Sequence, residues 1–464
     1  AYTYTQAVNA VYSGGLTIYS TQDSTIQDIC DEELSNPANY PENTFYSFSW
    51  QLTVKHSDGE TENYSNVNIV YYNKKLLGNT NFKIIFSSKE EAQACIDAFK
   101  EEYIKDGDEI LGENVIFTLQ PQVSFSVIDQ STGYVKAIVG GRGEKTTSRG
   151  LNRATDSTRQ PGSTFKVLAA FAPAMDRYNY TLATVFDDAP YAYTSSGRAI
   201  HNWWGDYYYG LTSMKRAIQK SMNVIAVKCL TAITPEVGFE YLQDFGFSTL
   251  VQNRVNADNT VNSDINQALA LGGLTDGVTN IELCNAYATI ANGGVYTELS
   301  YYTKVLDSKG RIILEKVPNT HRVLKETTAY LTTLAMHEVV TGDGTGAIAN
   351  IDNQYVAGKT GTTSNDYDIW FAGYTQYLTA AIWSGFDENT GISDTVYNTQ
   401  YHKLIWKKIM SRIHEEKGYT YKEPEKPSNI VTAQVCSKCG NLAVEGLCEN
   451  DPAGSTVVTE YFAE

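Results

Sequence analysis

A chain of 464 residues is longer than one hydrophobic core usually serves, so two or more domains are expected. Hydrophobic residues at 42% and charged residues at 19% are ordinary for a folded protein and exclude wholesale disorder. A formal charge of −17 leaves no broad basic surface for phosphate, which excludes nucleic acid as a partner.

The sequence opens on Ala1 rather than Met, which reads as a processed or cut chain. No signal peptide or spanning segment is evident: the longest apolar run, residues 167–175, falls far short of the ~20 residues a membrane helix needs. Residues 14–21 (Gly-Gly-Leu-Thr-Ile-Tyr-Ser-Thr) alternate as a short strand, and 25–34 reads as a short helix. From 44 to 72 the pattern is β, carried by Phe45, Phe48, Trp50, Leu52 and Val54, then Val67, Ile69 and Tyr71. Ser57-Asp58-Gly59 marks the hairpin turn between them. Residues 89–105 predict a helix with Ala92, Cys95, Ile96, Phe99 and Tyr103 on one face. This small α+β unit carries no constellation of reactive residues and reads as a structural spacer.

Residues 123–141 form a hairpin pattern around Ser131-Thr132-Gly133. Helices dominate from 163 to about 336; strands return at 355–359, 369–374 and 378–386, and a helix follows at 401–413. Strands before and after a helical middle predict one sheet assembled from distant parts of the chain. Glu423-Pro424-Glu425-Lys426-Pro427 is a linker, and 430–433 and 455–461 are again strand-like. The fold class is therefore α+β, a mainly antiparallel sheet flanked by helices with a small α+β linker domain. The expected division is 1–120, 121–420 and a strand-rich extension at 421–464.

Seven cysteines are an odd number, so at least one has no partner within the chain. Cys229 and Cys284 sit in apolar helical patterns and read as buried thiols. Cys436, Cys439 and Cys448 cluster without a fourth ligand for zinc; one local disulfide or unpaired thiols are the two readings. No metal site and no cofactor is read: the histidines lack ligand spacing, and His337-Glu338 has no second His four residues on. Gly342-Asp343-Gly344-Thr345-Gly346 lacks a strand-loop-helix context and reads as a flexible loop.

Three short motifs carry chemistry. Ser163-Thr164-Phe165-Lys166 follows Gln160-Pro161-Gly162 and opens an apolar helical run, since Pro favours a helix start and Gly a close approach. Residues three apart share a helix face, so the Ser163 hydroxyl and the Lys166 amine can meet. A serine nucleophile needs an adjacent base. For lysine, with a pKa near ~10.4, that role takes a drop of roughly three units, about 4 kcal/mol. Burial and a second cation supply such a drop, and Lys359 is the obvious second cation. Ser221-Met222-Asn223 follows a helical pattern; Ser221 would relay the proton and Asn223 would bind a substrate amide, or the triplet simply caps a helix. Lys359-Thr360-Gly361-Thr362 lies on a predicted strand beside which an extended substrate can dock, with Gly361 leaving room. Lys359, Thr360 and Thr362 would hold a carboxylate, and the N–H groups of Ser163 and Thr362 would form an oxyanion hole.

In this order the S-x-x-K, S-x-N and K-T-G motifs match serine enzymes that acylate themselves on penicillin-like amides. The chain resembles the transpeptidase module of class A penicillin-binding proteins. The likeness extends to Ala268-Leu269-Ala270-Leu271-Gly272-Gly273, Ala286-Tyr287-Ala288, Ala291-Asn292-Gly293-Gly294, Thr345-Gly346-Ala347 and residues 368–374. It is specific from about 121 to 415, recognisable at 10–30 and 428–462, and weak at 40–115. Met222 stands where the lactamase-type motif has Asp, which counts against a class A lactamase. The resemblance implies a peptidoglycan DD-transpeptidase that cross-links stem peptides through an acyl-Ser163 and that β-lactams acylate. It implies a membrane anchor and a glycosyltransferase upstream, absent from this sequence, an extracytoplasmic location, and partners among cell-wall synthesis proteins. A DD-carboxypeptidase, a penicillin hydrolase and a penicillin-sensing scaffold are the alternatives. Trp203, in the aromatic run at 202–209, either walls the cleft or is one more aromatic in a chain of 33 tyrosines.

Overall fold

The computed structural model describes residues 3–145, 149–393, 399–452 and 454–464. Ala1 lies outside them. A five-stranded antiparallel sheet forms the centre, in the spatial order 357–362, 368–374, 379–385, 122–129, 134–139. Its strands come from both ends of the chain, as the pattern predicts. Asp368–Tyr374 and Thr379–Gly385 are buried along their whole length because helices cover both faces of the sheet. The alternation of side chains divides them between two cores. Trp370, Ala372, Tyr374 and Trp383 join one with the Asn280–Ala291 and Asn223–Ile233 helices. Ile369, Phe371, Val123, Phe125 and Val127 join the other with Ser24–Ser35 and Tyr401–Glu416.

The early segment belongs to this body. Thr17–Ser20 pairs with Tyr302–Leu306, and Ile26, Ile29 and Leu34 enter the second core beside Ile405 and Ile409. The small α+β unit has a core of its own, built from Phe48, Trp50, Leu52, Val54, Ile96 and Phe99. Its sheet has the order Thr61–Ser65, Phe45–Lys55, Glu109–Gln120, and the last strand was not anticipated. Val115, Phe117 and Leu119 carry the alternation there, but Gly112 and Glu113 interrupt it. Val67, Ile69 and Tyr71, expected on a strand, lie instead in or beside the helix Asn66–Tyr71. Ser65 caps that helix and Asn68 returns the bond, so the capping box overrides the β-branched preference.

Cys229 and Cys284 are buried thiols, as expected. Cys436, Cys439 and Cys448 are all free, which removes the disulfide reading; Cys436 shares a hydrogen bond with Thr456 Oγ1 instead. The Gly342–Gly346 loop is tied down rather than flexible: Asp343 pairs with Arg216 and Lys220. No helix among the described residues is long and apolar enough to cross a membrane.

Candidate active site

The site begins where two glycines let backbone touch backbone. Gly162 has φ +56, and a Cβ there would stand 2.8 Å from the Thr362 carbonyl oxygen. A Cβ on Gly361 would stand 2.6 Å from the Pro161 carbonyl oxygen. Any side chain at either position would separate the turn bearing Ser163 from the K-T-G strand. The turn is held on all sides. Arg159 Nε donates to Asp368 at 2.6 Å, Trp370 Nε1 to the Gln160 carbonyl at 2.9 Å, and Tyr287 to the Thr164 carbonyl at 2.9 Å. From here the chain coils as a tight turn over Gly162–Thr164, a widened turn over Lys166–Phe171 and an α-helix over Ala172–Arg177. Ser163 is half-buried and Lys166 fully buried.

The S-x-N triplet does not cap its helix. Asn223–Ile233 starts directly at Asn223, and the donors of Asn223 and Val224 are taken by Asn202 Oδ1 at 2.8 and 3.3 Å. Asn202 is in turn held by Asp188 at 2.9 Å, which also accepts from the Tyr209 N–H. An outside residue thus satisfies the helix end and frees the triplet's side chains. Ser221 sits at φ +54, a conformation that costs a non-glycine residue on the order of 1 kcal/mol or more. That turn aims the Ser221 hydroxyl between two lysines.

Lys166 Nζ donates to the Ser221 carbonyl at 2.6 Å, to Ser221 Oγ at 3.2 Å and to Asn223 Oδ1 at 2.5 Å. Lys359 Nζ reaches the same Ser221 Oγ at 2.7 Å. Both amines are fully buried, and among the described residues neither forms an ion pair with a carboxylate. Burial first, and the Lys359 cation second, hold Lys166 well below the usual lysine range. Burial and then Lys403 push Lys359 down to about 7. The donors of Lys166 go to Ser221 and Asn223; among the described residues no hydrogen bond joins it to Ser163 Oγ.

Ala357–Thr362 is an edge strand whose only strand partner among the described residues is Asp368–Tyr374, and its other side lies against the Ser163 turn. Thr362 is exposed; Thr360 is buried, and its hydroxyl shares a 2.9 Å hydrogen bond with Thr345. Trp203 is 65% exposed, yet its indole N–H donates to the Lys220 carbonyl at 2.9 Å, next to Ser221. Asp188, Asn202, Thr345 and Lys403 were not singled out from sequence. Their partners lie 14 to 58 residues away, beyond the reach of local patterns, and only Thr345 stood in a motif-like context. The assembled chemistry is a half-exposed hydroxyl beside a neutral-leaning amine, with a second hydroxyl bridging that amine to another.

The model of the penicillin-binding protein transpeptidase domain matches residues 123–411, and that of the penicillin-binding protein 1A C-terminal domain matches 426–464. A penicillin-binding protein 1A of Clostridium botulinum is 36% identical over 352 residues, 74% of this chain and 41% of that protein. Penicillin-binding protein 1A/1B of Bacillus subtilis is 28% identical over 376 residues, 77% of this chain and 38% of that protein. The chain thus spans less than half the length of these two relatives. Among solved structures, penicillin-binding protein 1A of Haemophilus influenzae aligns with a TM-score of 0.64 at 19% identity, covering 98% of this chain and 73% of that one. The PonA1 protein of Mycobacterium tuberculosis in complex with penicillin V aligns at 0.62 and 20% identity, covering 91% of each chain. At such identities these structures speak for the fold. The domain match over most of the chain settles the family: this chain belongs to the penicillin-binding-protein transpeptidases.

Proposed function

We propose that this chain is a peptidoglycan DD-transpeptidase module acting through a serine acyl-enzyme. Lys166 takes the proton from Ser163 as Oγ attacks the carbonyl carbon of a D-Ala-D-Ala stem peptide. The backbone N–H groups of Ser163 and Thr362 stabilise the resulting oxyanion; each such donor is typically worth ~3–4 kcal/mol. The C–N bond then breaks. The proton returns through the Ser221 hydroxyl to the departing nitrogen, and D-alanine leaves. An amine of a second stem peptide attacks the acyl-Ser163 ester, forms the cross-link and restores the hydroxyl. Asn223 binds the substrate amide, Lys359 with Thr360 and Thr362 takes the terminal carboxylate, and Trp203 walls the cleft. The full-length protein acts on the extracytoplasmic face of the membrane, beside other cell-wall synthesis proteins.

The observation that carries this reading is one hydroxyl, Ser221 Oγ, within hydrogen-bond reach of two buried lysines at 3.2 and 2.7 Å. Such a bridge is a proton relay with no evident structural purpose, since it gathers two cations where a stable core would have none. A hydrogen bond between Ser163 and Lys166 is of the kind that often tightens only when substrate binds. Intact-mass measurement after mixing with penicillin tests it. Wild-type protein gains the mass of one penicillin and keeps it for minutes or longer, and Ser163→Ala gains none. Undiminished labelling of Ser163→Ala removes that residue from the mechanism. Turnover of the adduct within seconds favours the hydrolytic reading.

A further inference from the structure

The Tyr401–Glu416 helix places a third lysine under the site. Lys403 lies in its first turn and is 5% exposed. Three costs meet at this position. The ammonium is buried, it sits where the helix macrodipole is positive, and it shares its surroundings with the Lys359 cation. Among the described residues no carboxylate pairs with it. The carboxylates of neighbouring elements are engaged elsewhere: Asp368 with Arg159, Asp343 with Arg216 and Lys220, and Glu33 with Lys408 and Arg412. The other titratable groups facing Lys403 are Lys359 on the K-T-G strand and His402 on its own helix, and the charge of Lys403 disfavours protonation of both. Nothing here repays the burial in stability.

Its hydrogen bond points to a purpose. Lys403 Nζ donates to the Thr345 carbonyl at 3.0 Å, and the Thr345 hydroxyl meets Thr360 Oγ1 at 2.9 Å. Two residues earlier in the same loop, Asp343 holds Arg216 and Lys220, the residue just before Ser221. One loop therefore touches the K-T-G strand and the approach to the S-x-N turn, and Lys403 anchors it from beneath. We propose that Lys403 is a positioning residue of the acyl-transfer site, fixing the Thr345 loop on Thr360 and setting the charge balance of Lys359. It acts through these groups and touches no substrate. Burial holds Lys403 itself down to about 8, so its charge is partial near neutral pH and complete below it.

This inference rests on the acyl-transfer reading, and the two fail differently. If wild-type protein takes up no penicillin, the reading fails. If wild-type labels normally, the test of Lys403 stands alone. Lys403→Met keeps the length and apolar stem while removing the charge, and Lys403→Arg keeps the charge. The rate of acylation by a fluorescent penicillin is followed from pH 5 to 10 for all three proteins, with melting temperatures alongside. Removing the cation raises the pKa of Lys359. The titration limb belonging to Lys359 therefore moves toward higher pH by about one unit in Lys403→Met, while loss of the Lys403–Thr345 bond lowers the maximal rate roughly tenfold. Lys403→Arg restores both toward wild type. An unmoved pH profile in Lys403→Met, whatever its melting temperature, overturns the proposal. So does a shift that Lys403→Arg shares in full, because loss of packing alone would then explain it.

Discussion

At the C-terminal end of the Tyr401–Glu416 helix, Arg412 faces Glu32 and Glu33, Lys408 faces Glu33, and Lys417 just beyond faces Asp23. At the N-terminal end, Lys403 is buried with no such partner among the described residues, and beyond it lie Lys359 and Lys166. Both ends carry cations against the body of the protein. Where carboxylates answer them, the pairs clamp the Ser24–Ser35 helix to the fold, and hydrogen bonds and charges from Lys408, Asn39 and Arg412 hold the Glu33 carboxyl below its usual range despite its burial. Where none answers, burial pushes all three lysines down, and the charge of a neighbouring lysine adds to it at Lys166 and Lys359. The difference separates a charge used as a fastener from a charge that, in the proposed mechanism, would carry a proton. A lysine at its usual pKa cannot accept a proton at neutral pH, and one salt bridge at Lys166 would restore that pKa.

The largest effect is expected from removing the base. Lys166→Ala should slow acylation of Ser163 by penicillin at least ~100-fold, read from labelling time courses. An unchanged rate would leave the base role unfilled and break the comparison at its functional end. A second experiment separates stability from activity. The folded pKa of Lys359, about 7, lies below its unfolded value of 10.5, so between these the unfolded chain holds more protons. This residue therefore destabilises the fold below pH 7, and the burden lifts as pH rises toward 10.5. Lys359→Met should melt above wild type at pH 7, by a margin on the order of a few kcal/mol, and the gap should narrow by pH 10. A gap that widens with pH would refute the assignment. At the paired end, Arg412→Ala should lower stability by about 1–2 kcal/mol in urea unfolding, since Glu33 keeps Lys408 but loses its shorter contact. It should leave the pH profile of acylation where it was. A moved profile would show that the two ends are coupled.

Several parts of the fold were legible because they depend on near neighbours. The hairpin around Ser131-Thr132-Gly133, the helix at 89–103 and the burial of Cys229 follow from periodicity and turn chemistry. The small helix at 66–71 was misjudged because Val67, Ile69 and Tyr71 fit a strand equally well until Ser65 and Asn68 close a capping box. The strand at 109–120 was missed because its pairing with Phe45–Lys55 bridges a helix that precedes it in sequence.

The sequence by itself determined the candidate reactive groups: three motifs, in one order, with glycines where backbone must approach backbone. It also determined the family, because those motifs are embedded in long matching segments. Only the tertiary structure decided the state of the amines. The pKa of Lys166 depends on what is excluded from around it, and that exclusion is the work of residues scattered over the chain. Asn202 frees the Ser221 turn, Thr345 braces the K-T-G strand, and Lys403 supplies charge from below. Motif spacing encodes which groups can meet; the dielectric and the neighbouring charges that tune them arise only when the chain is folded.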